Sequence, residues 1–297
     1  MHILLFGANG QVGWELQRSL SVLGTLTALG HADADLEQPL QGLIERAHPD
    51  VIVNAAAYTA VDQAESEPAR AMRINAEAVG EMARAAKSVD ALLVHYSTDY
   101  VFDGEKSTPY QEDDPTGPLN WYGRSKLAGE QAIRAVAGCR HLILRTSWVY
   151  AKRGKNFART ILERAQTMDR LQVVADAFGA PTSAELLADV TALALYRARI
   201  AQAGACGQAL GTFHLVPSGV ASWHEYACYL IEAARARGVP VRVAPEHILP
   251  VPAATFRAPA RRPMNSRLDN RRLRQALGID LPDWRVHARR FVDEFGR

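Results

Sequence analysis

A short apolar run, His2-Ile3-Leu4-Leu5-Phe6, leads straight into Gly7-Ala8-Asn9-Gly10-Gln11-Val12-Gly13 and then into a helical pattern of Trp14, Leu16, Leu20 and Leu23. Strand, glycine turn and helix in that order leave few folds open. Gly7 allows the tight turn, Gly10 lets a pyrophosphate reach the backbone, and Gly13 lets the helix pack on the strand. The helix N-terminus then offers free N–H groups and a positive dipole end to phosphate. A purely structural glycine turn is the competing reading, but the flanking strand and helix are the context that dinucleotide binding requires.

The following residues extend that pattern. Short apolar strands at Thr25 to Leu29, Val51 to Val53 and Ala91 to Tyr96 alternate with helical stretches at Leu40 to Ala47 and Pro68 to about Ser88. Such alternation predicts an α/β fold, a Rossmann-type doubly wound parallel sheet with helices on both faces. With 297 residues the chain can form one large domain or two modest ones. We expect residues 1–150 to form the dinucleotide-binding domain. Residues 151–297 should be mainly a smaller, C-terminal substrate-binding domain, with some later segments returning to the sheet.

Where the second strand ends, an acid would favour NAD and a base NADP, and Gly30 is neither. Asp33 and Asp35 are placed to touch ribose or adenine, or to sit in a solvated loop. Coenzyme preference stays open on these residues. The third strand runs into Asn54-Ala55-Ala56-Ala57-Tyr58-Thr59, whose alanines leave room for a flat ring or a pyrophosphate, or for close helix packing. The fourth delivers Ser97, Thr98 and Asp99 to the carboxyl edge of the sheet, where open α/β sheets place their sites. His95, inside the strand, reads as a satisfied core histidine.

Asn120-Trp121-Tyr122-Gly123-Arg124-Ser125-Lys126 then puts a phenol and an ammonium four residues apart in a segment that reads as helix. At that spacing the two side chains share a face. A lysine charge beside a tyrosine is expected to lower the phenol's pKa from about 10, so that it can pass a proton near neutral pH. Thr98 can hydrogen-bond a substrate carbonyl oxygen while Tyr122 donates the proton, with Ser97 as the competing hydroxyl. By spacing alone, Tyr122 and Lys126 are equally a surface pair.

In the second half, Arg145 to Tyr150 carries the chain out of a buried strand, and Trp148 there either stacks on a sugar ring or fills a core gap. The helix from about Ala184 to Tyr196 should be mostly buried, and Ser222 caps another. Between Arg257 and Arg274 seven arginines face one acid, Asp269. Such a run is either a solvated face or a source of planar, multidentate cations for a diphosphate, for which Arg261 and Arg262 are the candidates. Nucleic acid fits less well, because no aromatic platform interleaves with the run.

Together these residues resemble the extended short-chain dehydrogenase/reductase superfamily: the N-terminal glycine triplet, Ser/Thr after the fourth strand, and Tyr-x-x-x-Lys. Within it the chain is similar to the dTDP-4-dehydrorhamnose reductases. The shared stretches are Leu4 to Gly7 with Gly10 to Gly13, Asn54 to Thr59, Ser97 to Phe102, Tyr122 to Lys126, Arg145 to Tyr150, Phe178 to Thr182, Arg262-Pro263 and Asn265-Ser266. The resemblance covers nearly the whole chain.

It implies that Thr98, Tyr122 and Lys126 are the catalytic trio of an NAD(P)H-dependent oxidoreductase, with Lys126 also holding the nicotinamide ribose. It implies Gly10, Gln11 and Val12 for the pyrophosphate, Asp35 and Leu36 for the adenine, and Ala57, Tyr58 and Thr59 for the coenzyme strip. Asp99 and Trp148 match positions facing the sugar. The substrate would be a nucleotide sugar with a 4-keto group, dTDP-4-dehydro-L-rhamnose, and the coenzyme NADPH or NADH. Some relatives pair into dimers with a magnesium ion, so Mg2+ and a homodimer enter as expectations, although no acid cluster here has ligand spacing. A 4,6-dehydratase would carry glutamate two residues after the threonine, where this chain has Tyr100. A nucleotide-sugar epimerase, or a non-catalytic NADP-binding regulatory subunit, is the alternative.

Charge and cysteines agree with a cytoplasmic enzyme. A net charge of +2 makes no case for nucleic acid or membrane. The opening apolar run is too short for a signal peptide and has no basic leader, and no segment approaches a membrane span. Cys139, Cys206 and Cys228 are scattered, without metal spacing, and read as reduced packing residues.

Overall fold

In the computed structural model, which describes residues 1–202 and 210–295, strand and helix alternate as the apolar runs predict. The chain begins with β1 (His2–Phe6), α1 (Gln11–Leu20), β2 (Thr25–Leu29), α2 (Gln41–Ala47) and β3 (Val51–Asn54). It continues through α3 (Pro68–Met72), α4 (Ala78–Ser88), β4 (Leu92–Thr98), α5 (Trp121–Arg134) and β5 (His141–Thr146). Next come β6 (Val149–Tyr150), α6 (Phe157–Thr167), β7 (Leu171–Val174), β8 (Phe178–Gly179), β9 (Thr182–Ser183) and α7 (Ala184–Gln202). The last elements are β10 (Gly211–His214), β11 (Ala221–Ser222), α8 (Trp223–Ala236), β12 (Ile248–Val251), α9 (Arg271–Leu277) and α10 (Trp284–Phe295).

Six strands form one parallel sheet in the order β2-β1-β3-β4-β5-β10. This is a Rossmann-type doubly wound sheet whose strand order reverses between β1 and β3, and ligands of such sheets bind outside the carboxyl ends at that point. Alternate residues of the strands feed two cores, as the period of two requires. Ile3, Leu5, Val53, Val94 and Leu144 pack with Leu16 and Leu20 of α1 and Leu187 and Val190 of α7. Leu4, Phe6, Ile52, Leu93 and Ile143 pack with Ile44 of α2 and Val79, Met82 and Ala86 of α4. A separate core joins α6, α8 and α10 to β7 through Ile161, Leu171, Tyr226, Leu230, Trp284 and Phe291.

Two elements differ in detail from their sequence patterns. The helix expected from Pro68 to Ser88 is interrupted by a π-helical turn at Arg73–Glu77, a departure that recurs at functional sites. α7 runs past Tyr196 to Gln202 and is buried on one face, while Leu193 and Tyr196 are exposed. Cys139 and Cys228 are free thiols; Cys206 lies outside the described residues. No described helix is long and apolar enough to cross a membrane.

Candidate active site

The carboxyl ends of β1, β3, β4 and β5 open into one cleft of about 930 Å³. Its floor begins at the glycine turn. Gly7 has φ +81°, and a Cβ there would stand 2.6 Å from the Ala56 nitrogen. A Cβ on Gly13 would come within 2.0 Å of the Gly7 carbonyl oxygen, so only glycine lets α1 start this close to β1. Gly10 caps α1 without a side-chain hydrogen bond, which leaves the first N–H groups of the helix facing the cleft with their positive dipole end. Gln11, Val12, Ala57 and Thr59 line the same cavity. A narrow backbone cradle with unsatisfied donors and small side chains fits a dinucleotide's diphosphate.

At one end, Gly30, Asp35 and Leu36 line the cleft. Asp33 is turned back, its carboxylate accepting from the Gly30 N–H at 2.8 Å. Asp35 likewise accepts from the Glu37 N–H at 2.9 Å.

At the other end stand Thr98, Asp99, Tyr122 and Lys126. Asn120 caps α5, accepting from the Gly123 N–H at 2.8 Å. Gly123 is required next: a Cβ there would lie 2.2 Å from the Tyr100 carbonyl oxygen. The helix therefore runs hard against the segment after β4, and the Tyr122 phenol lies against the Thr98 side chain. The Tyr122 ring also meets Tyr100 edge-on, with centroids 5.8 Å apart. The Thr98 hydroxyl donates to Asp99 Oδ1 at 3.0 Å and accepts from the Tyr100 N–H at 3.2 Å. Ser97, the competing hydroxyl, lies instead against Glu130.

The electrostatics differ from the sequence expectation. Burial, with the Asp99 charge, pushes the Tyr122 phenol up to about 12 and outweighs the lowering effect of the Thr98 hydroxyl beside it. Lys126 does not lower it, because its Nζ donates to the Tyr96 carbonyl at 2.6 Å and sits 3.3 Å from His95 Nε2. Burial depresses Lys126 to about 8 against the favourable charge of Glu130. Asp99 is raised to about 6, again by burial. His95 is a satisfied core histidine, as expected, but one that spans Asn54 Nδ2, 3.1 Å from its Nδ1, and the candidate lysine. Burial and the Lys126 charge keep it neutral.

Trp148 lines the cleft at φ +48°, a strained conformation for a large side chain. Its indole stacks on Trp223, 3.6 Å between centroids, and a Cβ on Gly179 would come within 2.6 Å of it. One ring edge is thus held in a slot while the residue borders the cavity.

Three candidates stand elsewhere. The Tyr58 side chain is buried, its hydroxyl donating to Glu67 Oε2 at 3.0 Å. Arg262 pairs with Asp62 at 2.7 Å and touches Tyr100, one ring from Tyr122. Arg261 is exposed, and its carbonyl accepts from Asn120 Nδ2 at 2.7 Å. Among the described residues no group of three or more His, Cys, Asp or Glu side chains is placed to hold a metal ion.

Sequence reasoning missed Asn75 and Trp223. Asn75, in the π-turn, donates to the Tyr58 carbonyl and to Ser125 Oγ and accepts from the Tyr58 N–H, tying the segment after β3 to α5. A polar residue within a buried helical stripe was its only signal. Trp223 had none, because its stack with Trp148 joins distant segments.

The family described as RmlD substrate binding domain matches residues 1–297. A dTDP-4-dehydrorhamnose reductase of Burkholderia thailandensis is 52% identical over 288 residues, 96% of each chain. Among solved structures, a dTDP-4-dehydrorhamnose reductase from Clostridium acetobutylicum superposes with a TM-score of 0.88 at 35% identity over the whole of both chains. One from Bacillus anthracis in complex with NADP gives 0.86 at 33% identity over 99% of both.

Proposed function

The chain belongs to the RmlD substrate binding domain family, and on that premise we propose that it reduces the C4 keto group of dTDP-4-dehydro-L-rhamnose to dTDP-L-rhamnose with NAD(P)H. The observation that carries the reading is that the Tyr122 phenol, against Thr98, lines the same cleft as the glycine turn, where α1 starts without a side-chain cap. The coenzyme supplies the hydride that forms the new C–H bond at C4. Tyr122 supplies the proton that turns the C4 alkoxide into a hydroxyl. A phenol held near 12 keeps its proton at neutral pH and is still a far stronger acid than a secondary alcohol. Reduction needs a loaded acid, so the upward shift suits this direction better than the lowered phenol expected from spacing.

Thr98 would turn its hydroxyl from Asp99 Oδ1 to the carbonyl oxygen and hold it beside Tyr122, while the Asp99 carboxylate would accept from a sugar hydroxyl. Lys126, charged and anchored on Tyr96, would hold the nicotinamide ribose beside it. Trp148, backed by Trp223, would wall the sugar. Arg262 and Arg261 are proposed for the nucleotide's diphosphate, Arg262 exchanging its Asp62 partner for phosphate oxygens. NADPH should serve at least as well as NADH, because the nearest acid to the second strand's end, Asp33, is occupied by the Gly30 N–H.

The assay is coenzyme oxidation by the purified chain with dTDP-4-dehydro-L-rhamnose and either coenzyme. Rapid oxidation is expected only when the sugar nucleotide is present, and none with either coenzyme would refute the reading. A pH dependence follows from Lys126. Its pKa is depressed to about 8, so the charged form is present below that value and is lost above it. The ratio kcat/KM for coenzyme, which reports the free enzyme, should fall as pH rises through about 8. A profile flat to about pH 10, the ordinary range of lysine, would remove the Lys126 charge from coenzyme capture.

A further inference from the structure

We propose that residues 151–156, between β6 and α6, form a second wall of the coenzyme's diphosphate site, with Arg153 and Lys155 as its cations. The segment is pinned to the glycine turn. Asn156 Nδ2 donates to Gln11 Oε1 at 2.9 Å and to the Ala151 carbonyl at 2.7 Å. Gly154 has φ +78°, and a Cβ there would lie 3.2 Å from Gln11 Cγ. The Arg153 guanidinium lies over the Trp14 ring, 4.1 Å from its centroid. That contact with the face of the ring fixes the arginine but leaves its N–H donors free.

Charge selects these two side chains. Arg153 and Lys155 both line the cleft, and neither is in an ion pair among the described residues. Arg70, which also lines it, is already paired with Glu37 at 3.0 Å and Glu67 at 3.5 Å. A diphosphate brings two negative charges, whereas a helix N-terminus offers about half a positive charge. Two unpaired cations held against the same turn make up the difference. The ligand's identity as a nicotinamide coenzyme rests on the reductase reading; the geometry of the wall does not.

The test is titration of the coenzyme-free chain with NADP+, NAD+ and dTDP, followed by calorimetry, for the parent, Arg153→Ala, Lys155→Ala and the double variant. Both side chains are exposed, so the variants should melt with the parent. Each single change should weaken NADP+ and NAD+ alike by roughly 10-fold, the size of one charged hydrogen bond, while dTDP affinity holds. Trp14→Leu should weaken both coenzymes in the same sense, since it frees the guanidinium. Affinities within twofold of the parent would overturn the proposal. So would a loss confined to NADP+, which marks the 2′-phosphate, or one confined to dTDP, which marks the substrate's own diphosphate. Normal coenzyme binding without reduction would sink the reductase reading alone.

Discussion

Tyr122→Phe should lower kcat by roughly 10²-fold or more, the loss expected when a positioned acid is removed, while coenzyme affinity changes little. The phenylalanine ring keeps the edge contact with Tyr100 and the packing of α5 against the segment after β4, where Gly123 leaves no slack. Only the hydroxyl on Thr98 goes. Hydride transfer to C4 would then build an alkoxide with no proton to meet it, in a site where burial has already made charge unfavourable. Because the interaction matters only as charge develops on the oxygen, kcat and kcat/KM should fall together. Steady-state rates with saturating coenzyme check this, and a turnover equal to that of the parent chain would remove Tyr122 from its role.

The largest expected effect on stability lies one helical turn beyond Lys126. Glu130 is fully buried and takes a bidentate grip from Arg145, Nε to Oε1 at 2.8 Å and Nη2 to Oε2 at 2.7 Å. The same guanidinium donates to the Glu112 carbonyl at 3.0 Å and lies over Phe102. Removing one partner of a buried pair costs about 3–5 kcal/mol, because the other charge is left without compensation. Arg134 remains on Glu130 at 2.8 Å, so Arg145→Met should fall at the lower end of that range. Adding Glu130→Leu should recover part of the loss, as an apolar pair needs no partner. Burial raises the Glu130 carboxyl, but Arg145, Ser97 and Arg134 together outweigh it and the folded pKa is lowered. Its contribution is therefore present above the ordinary carboxylate range and is lost as pH falls through the folded value. Urea unfolding should show the gap between parent and Arg145→Met at neutral pH and a narrowing gap in acid. A neutral-pH gap below about 1 kcal/mol, the range of an exposed pair, would contradict the account.

What the sequence made legible is what local spacing controls. Gly7, Gly10 and Gly13 foretold the turn, and the apolar runs foretold each strand that reaches the cleft. Tyr122 and Lys126 were readable because a helix fixes their separation. The ionisation of Tyr122 was not readable, since it depends on how far β4 and α5 bury it and on Lys126 turning to Tyr96. The role of His95 as the link between Asn54 and Lys126 needs two strands and a helix to converge. Arg262 finds Asp62 across 200 residues, and Trp148 finds Trp223 only after the second half folds back. The π-turn at Arg73–Glu77 sits in a stretch whose apolar stripe reads as ordinary helix, with Asn75 as its one irregular residue.

Isotope transfer tests the central claim most directly. NADPH deuterated at the transferable position of its nicotinamide ring would be given to the purified chain with dTDP-4-dehydro-L-rhamnose, and the sugar product examined by mass and NMR. The account predicts one deuterium per product, at C4, with stoichiometric formation of NADP+. A product carrying no label, formed while NADPH persists, would mean that the cleft shuttles hydride within the substrate or does no reduction, and the mechanism given to Tyr122 would have to be abandoned.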